Sequence, residues 1–513
     1  MAYRDFQHFL EVLEAKGELK RISEPISPYL EMTEVSDRVM KAGGPALLFE
    51  NPVGPAPRLG TPNPFSAVIG NPSIHAIPNT GDRKYDYPVA INTMGSRRRM
   101  SLALSCEDFE EHALRIERLI KPELPAGKIE ALKKGWEMLG ELKNVPPKTV
   151  TQAKCQEIVM EGDDVDLTKL PVLTCWPEDG GPFVTLPLVF THDPNTGKRN
   201  VGMYRVQMFD KNTCGMHWQI HKTGMRQMED AGVKREMLQA CVVLGGDPVI
   251  AFSAISPLPP GIDEMLFAGF IRREPVSLVK AKTVDIMVPA DAEIVLEGFV
   301  DPGERRLEGP FGDHTGYYSL AGEFPVFHVT AITQRRNAVY PATIVGQPPM
   351  EDGWMGKAVE RIFLPLIKMS VPEIVDMNLP VEATFHNMAF VSIKKKYAGH
   401  AYKVMNAIWG LGGLSFTKFV FIFDEDCDVQ NLQEVIFRIG ANVDPGRDTL
   451  HTRGPVDQLD HASQQEGFGG KIGFDCTHKL PGENGFNRPY PKLIKMSPDV
   501  VSKIDSIWPR LGL

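Results

Sequence analysis

Cysteine is scarce in this chain, and its placing excludes a good deal. The seven thiols, Cys106, Cys155, Cys175, Cys214, Cys241, Cys427 and Cys476, are odd in number and form no C-x-x-C pair. That pattern offers neither a cysteine zinc site nor a disulfide framework, and it suits free thiols in a reducing cytosol. Long apolar runs are missing as well. The nearest candidate, residues 238–256, is broken by Gly245, Gly246, Asp247 and Pro248, so no spanning helix of about 20 apolar residues is expected. The Met-Ala-Tyr-Arg-Asp start lacks the apolar core of a secretory signal. Basic charge is in deficit. At a formal net charge of −9, the overall field draws neither nucleic acid nor an anionic membrane surface. The expectation is a cytoplasmic protein with no integral membrane segment and no nucleic-acid partner.

What is present is ordinary in bulk and informative in detail. A hydrophobic fraction of 42% and a charged fraction of 24% fit a soluble globular protein. The 513 residues exceed one core, so roughly two to four domains are expected. Over residues 1–147, Phe6, Phe9, Leu10 and Leu13 trace a helix that Gly17 stops, and further helices fit 107–120 and 128–142. In the second of these three, Phe109, Ala113, Ile116 and Ile120 share a face; in the third, Ile129, Leu132, Trp136 and Leu139 do. Residues 54–86 are dense in Pro, Gly, Asn and Ser and predict a long loop. From 148 to 345 the texture turns to strands, at 183–191, 200–209, 213–220 and 326–333, with helical inserts at 236–243 and 262–271. A β-barrel is the expected outcome. Residues 346–480 carry a β-α-β-α run: strand 389–393, helix 398–409, strand 418–423, helix 429–439. A tail, 481–513, ends in a short helix near 499–508. No internal repeat is visible.

Two segments could carry chemistry. Glu308-Gly309-Pro310-Phe311-Gly312-Asp313-His314-Thr315-Gly316-Tyr317-Tyr318 sets two carboxylates five residues apart in a stretch too rich in Gly and Pro for a helix. Aimed at one small volume, paired carboxyls push their pKa values apart; the same pattern also serves as an acidic surface turn. The other segment, Arg199 to Arg205, could lie beside Met216 to Lys222. Asn200, His217 and Glu264 offer the mixed O/N donors that suit Mn²⁺, although a strand histidine is also a common structural residue. Arg205 could fork onto a substrate carboxylate or form a structural ion pair. Asn200 and Arg205 are five apart, so an ideal strand points them to opposite faces; one site can use both only if the strand bends. Glu466 to Gly473 lacks the phosphate-loop register. Lys394-Lys395-Lys396 fits a solvated turn, and Arg97-Arg98-Arg99 either surface charge or an oligomer contact.

Taken together, these segments resemble the UbiD family of prenylated-FMN-dependent decarboxylases through almost the whole chain. The likeness includes Tyr3 to Phe6 with Gly17-Glu18-Leu19, Ala42 to Asn51, Gly162 to Leu167, Leu173 to Asp179, Asn200 to Arg205, Glu308 to Tyr318 and Lys395 to Ala401. It implies an α+β multidomain carboxy-lyase: a split, flavin-reductase-like β-barrel flanked by an N-terminal α/β domain and a C-terminal α/β domain. The latter would mediate a homo-oligomer, dimer or hexamer. The resemblance assigns catalysis to Arg205, Glu308 and Asp313. It assigns prenylated-FMN contacts to Met203, Tyr204, Arg205, His217, Trp218, Gln219 and Lys222, and Mn²⁺ to Asn200, His217 and Glu264, with K⁺ as a further ion. Some relatives have Arg-Gly where this chain has Lys222-Thr223. Asp313 is expected to be the carboxyl of raised pKa that protonates carbon, with Glu308 holding Arg205. A UbiX-type flavin prenyltransferase would supply the cofactor. The substrate would be a small aromatic or other unsaturated acid. The likeness is closest to the branch acting on 3-polyprenyl-4-hydroxybenzoate in ubiquinone biosynthesis, where a peripheral membrane position follows from the substrate. A menaquinone-route or catabolic aromatic acid also fits. Rival classes are a non-catalytic flavin-binding assembly protein and a metal-dependent hydrolase.

Overall fold

The period-2 segments of the central region assemble into one nine-stranded antiparallel sheet. The computed structural model describes residues 2–54, 83–120, 145–220, 222–259 and 261–512. The helix expected over 128–142 and most of the loop expected over 54–86 lie outside them. In the sheet, the strands run Arg199–Met203, Leu188–His192, Leu238–Leu244, Ile294–Glu308, Gly322–Gln334, Thr213–Met216, Val206–Met208, Phe183–Val184, with Ile158–Glu161 paired alongside Gly322–Gln334. Arg199–Met203 is one edge, and Val206–Met208 is next to the opposite edge. Only Tyr204 and Arg205 join them, so Met203 and Val206 are three Cα steps apart, at most about 11 Å. The sheet must therefore curl until its ends nearly meet, as a half-barrel.

That curl also revises the strand expectations. The stretches 183–191 and 200–209 are each two strands, and 213–220 is a strand only to Met216. The segment expected to be helical at 236–243 is the strand Leu238–Leu244, in which all residues but Gln239 are buried. A short apolar run of this kind has no period that separates strand from helix; Val242 and Val243 favour the strand. The helix lies earlier, at Thr223–Lys234, and ends where Arg235 turns left-handed. The expected helix at 262–271 is Glu264–Arg272, capped by Asp263, which accepts from the N–H groups of Met265 and Leu266.

The N-terminal elements pack directly on this sheet. Phe6, Phe9 and Leu13 share one hydrophobic cluster with Phe190, Val243, Phe252 and Phe363. A four-stranded sheet, Leu19–Ile22, Ala46–Phe49, Val89–Ile91 and Tyr340–Ala342, takes its last strand from beyond the half-barrel. The 20-residue helix Glu351–Ser370 leads to a five-stranded sheet ordered Ile374–Asn378, Met388–Ile393, Phe419–Asp424, Phe468–Asp475, Thr449–Pro455. Its helices His400–Trp409 and Leu432–Asn442 match the β-α-β-α expectation, and Ala389, Val391, Val404, Met405 and Val420 form a separate cluster. The last helix, Pro498–Ile507, buries none of its residues. Among the described residues, no helix is long and apolar enough to cross a membrane.

Two charged runs depart from expectation at one residue each, while Lys394, Lys396, Arg97 and Arg98 are exposed as expected. Lys395 is not solvated: its ammonium is buried against Glu483 at 2.6 Å and Thr477 at 2.9 Å. Arg99 is buried and donates to Gly44 O at 2.8 Å, while Arg97 pairs with Asp108 and Glu110. Both runs tie segments of the chain together.

Candidate active site

Tyr204 and Arg205 occupy the seam of the half-barrel, outside the hydrogen-bonded ladder. This resolves the geometric conflict between Asn200 and Arg205, because the chain turns between them. Glu308 ends the long strand Ile294–Glu308. The Gly/Pro-rich segment beyond it is a small hairpin, Phe311–Gly312 paired with Tyr318–Ser319, whose tip carries Asp313 and His314. Asp179 clamps that hairpin, accepting the N–H of Gly312 at 2.8 Å, of Trp176 at 2.9 Å and of Cys175 at 3.0 Å. Gly312 is required there, since a Cβ would lie 2.1 Å from the Trp176 ring.

Arg205 is held by both carboxylates. Its Nε donates to Glu308 Oε1 at 2.8 Å and its Nη2 to Glu308 Oε2 at 2.9 Å, a bidentate fork. Its Nη1 donates to Asp313 Oδ2. Phe311 and Phe183 face the guanidinium, with ring centroids 4.8 and 5.7 Å from Cζ. Glu308 is fully buried. Burial alone would raise its pKa, but the Arg205 charge, and then His217, hold it at about 2. Asp313 behaves alike: burial pushes it up, and the His314 hydrogen bond and the Arg205 charge hold it well below the carboxylate range. The carboxyl of raised pKa expected at Asp313 is thus absent from this resting arrangement, because the His314 hydrogen bond and the Arg205 charge together outweigh its burial.

The neighbouring wall is different. His217 Nδ1 lies 3.1 Å from Glu308 Oε2, which leaves Nε2 pointing elsewhere. Nε2 of His217, Nε1 of Trp218 and Oε2 of Glu264 are buried with no hydrogen-bond partner among the described residues. Burial raises the Glu264 pKa to about 7. Asn200 hydrogen-bonds the Tyr204 hydroxyl, and Glu264 accepts from the Val201 backbone, so Asn200, Tyr204 and Glu264 adjoin. Tyr204 and Trp218 meet edge to face at 6.4 Å. Met203 is half-buried and Gln219 buried on the same two segments. Lys222 precedes the helix Thr223–Lys234, whose N-terminus has no side-chain cap. A histidine with its other nitrogen on a carboxylate, and a buried carboxylate with one oxygen unpartnered, are donors that suit a divalent cation. A cleft of about 270 Å³ opens beside Asp313, lined by Trp176, Gly312, Tyr317, Tyr318 and Gln347 among others.

Of the sequence-predicted residues, the structure joins Arg205, Glu308, Asp313 and His217 directly, and Asn200, Tyr204 and Glu264 as an adjoining group. No direct contact of His217 with Asn200 or Glu264 is seen among the described residues. Asp179 and His314 were not singled out beforehand. Both lie inside the segments that carry the family likeness, which is the one signal that could have found them.

Comparisons with known proteins agree in order along the chain. Three family models match: the 3-octaprenyl-4-hydroxybenzoate carboxy-lyase N-terminal domain over residues 10–119, its Rift-related domain over 148–348 and its C-terminal domain over 353–476. An uncharacterized protein of Aquifex aeolicus is 47% identical, covering 100% of this chain and 99% of its own. The vanillic acid decarboxylase of Sedimentibacter hydroxybenzoicus in closed form superposes with a TM-score of 0.82 at 26% identity, over 100% of this chain and 99% of that one. The UbiD-class enzyme HmfF of Pelotomaculum thermopropionicum, solved with FMN, gives 0.76 at 26% identity, over 98% and 99%. An evolved dimeric form of HmfF was solved with prenylated FMN. By these matches, and by the order of its segments, the chain belongs to the UbiD family of carboxy-lyases.

Proposed function

We propose that this chain is a reversible, non-oxidative decarboxylase of an aromatic or other unsaturated carboxylic acid, working with prenylated FMN and Mn²⁺. The observation that carries the reading is Arg205 locked between two buried carboxylates, beside a wall of buried polar atoms that lack partners. When bound, prenylated FMN would supply, through a covalent bond to the substrate, the electron sink for the charge left when CO₂ departs from an sp² carbon. Met203, Tyr204, Arg205, His217, Trp218 and Gln219 would hold it in the half-barrel, which we take as the split barrel of a three-part chain. Lys222 and the uncapped helix N-terminus suit its phosphate. Asn200, His217 and Glu264 would hold Mn²⁺, with K⁺ a second ion.

The protein's own residues then do the following. Arg205 orients the substrate carboxylate. That carboxylate competes for the guanidinium, and Asp313, relieved of part of its counter-charge, is pushed upward by its burial. Asp313 so becomes able to carry the proton that replaces CO₂ on carbon. Glu308 keeps Arg205 in place and orients His217. The reverse reaction, carboxylation, follows at high CO₂.

A UbiX-type prenyltransferase is the proposed cofactor supplier, and a homo-oligomer built through the C-terminal sheet is the proposed assembly. The test is co-expression with such a prenyltransferase, then mass and absorbance spectra of the product. CO₂ release is then measured from a panel containing 4-hydroxybenzoate, vanillate and a 3-polyprenyl-4-hydroxybenzoate. Prenylated FMN with release from one acid supports the reading. Bound cofactor without release confines the fault to the substrate class. Absence of bound flavin overturns the reading.

A further inference from the structure

Polar contacts around Asp313 continue beyond the site just described. His314 donates to Asp313 Oδ1 from its backbone N–H at 2.8 Å and from Nδ1 at 2.9 Å. Its other ring nitrogen, Nε2, faces Nε2 of His386 at 2.9 Å. A carboxylate oxygen of Asp457 completes a group of three donor atoms lying within 4.8 Å of one another. The three residues come from distant parts of the chain: the hairpin after Ile294–Glu308, the loop before Met388–Ile393, and the loop after Thr449–Pro455.

Each donor is arranged as a ligand would be. A metal-bound histidine commonly gives its second N–H to a carboxylate, which fixes the tautomer and strengthens the ligand nitrogen. His314 has that arrangement with Asp313. His386 is set in place by unusual backbone, for Thr384 and Phe385 are both left-handed, at φ 57° and 45°. Consecutive non-glycine residues in that region are rare and concentrate where a side chain must be aimed. His386 Nδ1 is buried with no hydrogen-bond partner among the described residues. The two Nε2 atoms face each other at hydrogen-bond distance, so one carries the proton and the other accepts it along the lone-pair direction that a cation would take.

The surrounding charge asks for a cation. Asp313, Asp352 and Asp457 all bring negative charge to bear on His314. Of the two lysines whose charge reaches His386, Lys418 is paired with Asp460 at 2.6 Å and Lys222 adjoins Asp457.

We propose that His314, His386 and Asp457 form a divalent-cation site distinct from Asn200, His217 and Glu264. Two imidazoles and one carboxylate favour a borderline first-row ion such as Zn²⁺ or Fe²⁺. Three protein ligands leave a coordination position for water or a substrate oxygen. The ion would tie the hairpin of Asp313 to two loops of the C-terminal sheet, and it would hold His314 as the neutral Nδ1–H donor to Asp313.

The experiment needs no substrate and no flavin. Full-length protein, stripped with chelator, is titrated with Co²⁺ while the visible d–d bands of nitrogen-ligated cobalt are recorded, and with Zn²⁺ by calorimetry. The expected result is a Co²⁺ site that His386→Gln and Asp457→Asn each weaken at least tenfold and that His217→Ala leaves intact. The two variants sit on separate loops, and circular dichroism melts identify either one that fails to fold. The proposal is overturned if the wild type shows no nitrogen-ligated Co²⁺ band, or if folded His386→Gln or Asp457→Asn binds like the wild type. It is equally overturned if the band vanishes in His217→Ala, which would place the ion at the other site.

Discussion

The two walls of the active site differ in how their buried polar atoms are satisfied. Arg205, Glu308 and Asp313 use one another's hydrogen-bonding capacity, and the guanidinium neutralises acids that burial would otherwise protonate. Across the seam, His217 Nε2, Trp218 Nε1 and Glu264 Oε2 have no partners among the described residues. A buried polar group left unpaired costs about 1–3 kcal/mol, so the second wall is held at a cost that a ligand can relieve. The difference separates two tasks. The paired wall is set before anything binds, as an electrostatic catalyst requires. The unpaired wall has the character of a receptor.

The largest effect should come from breaking the paired wall at its centre. Arg205→Ala leaves Glu308 and Asp313 as two buried acids without the guanidinium they share, each with only a histidine, His217 and His314, still bonded to it. We expect turnover to fall by at least about 1,000-fold and stability at neutral pH to fall by about 3–5 kcal/mol, measured by urea unfolding. A variant that keeps wild-type rates would remove Arg205 from the chemistry. One that is inactive yet fully stable would show that the pairing matters less to the fold than its burial suggests. Next in size, Asp313→Asn and Glu308→Gln should each lower turnover by about 100-fold or more while retaining flavin. Only Glu308→Gln touches His217, so it alone should also weaken metal binding, by about tenfold. Equal metal loss in both variants would mean that the two walls are not separable.

Much of this was legible in residues and some was not. The Glu308 to Tyr318 and Asn200 to Arg205 segments pointed to Arg205, Glu308 and Asp313 through the family likeness, since on pattern alone an acidic turn and a structural ion pair fitted as well. The direction of the Asp313 shift was not legible, since it depends on the His314 ring folding back onto its neighbour and on Arg205 reaching both acids at once. The curl of the sheet was also hidden: it follows from strand order, which links residues far apart in sequence. At 238–244 the local pattern was ambiguous, and pairing with Leu188–His192 and Ile294–Glu308 decided it. Burial of Arg115, which donates to Phe270 O at 2.7 Å, likewise needs its distant acceptor to make sense.

The receptor wall gives a smaller effect on the free protein and a larger one on the loaded one. His217→Ala or Glu264→Ala should lower Mn²⁺ and flavin occupancy together, by about 10–100-fold in affinity, read by elemental analysis and flavin absorbance. Without ligands, Glu264→Ala should change the melting temperature little, because the loss of the Val201 hydrogen bond is offset by removal of a buried carboxylate with one oxygen unpartnered. Loss of metal with flavin retained would separate the ion from the phosphate and end the shared-site reading.

Gly224→Ala is the subtlest test, because two known effects oppose each other there. In the second turn-position of the helix Thr223–Lys234, alanine should be favoured over glycine by up to about 1 kcal/mol. A Cβ at residue 224 would, however, lie 2.7 Å from Trp218 Nε1, and that indole is fully buried and cannot swing away. If the unpartnered indole is part of the flavin receptor, flavin occupancy should drop several-fold while the melting temperature of the free protein moves by only a few degrees. If the helix gain prevails and flavin binds as before, Trp218 has room to move and its unpaired N–H is a packing accident. The receptor wall would then shrink to His217, Glu264 and their neighbours.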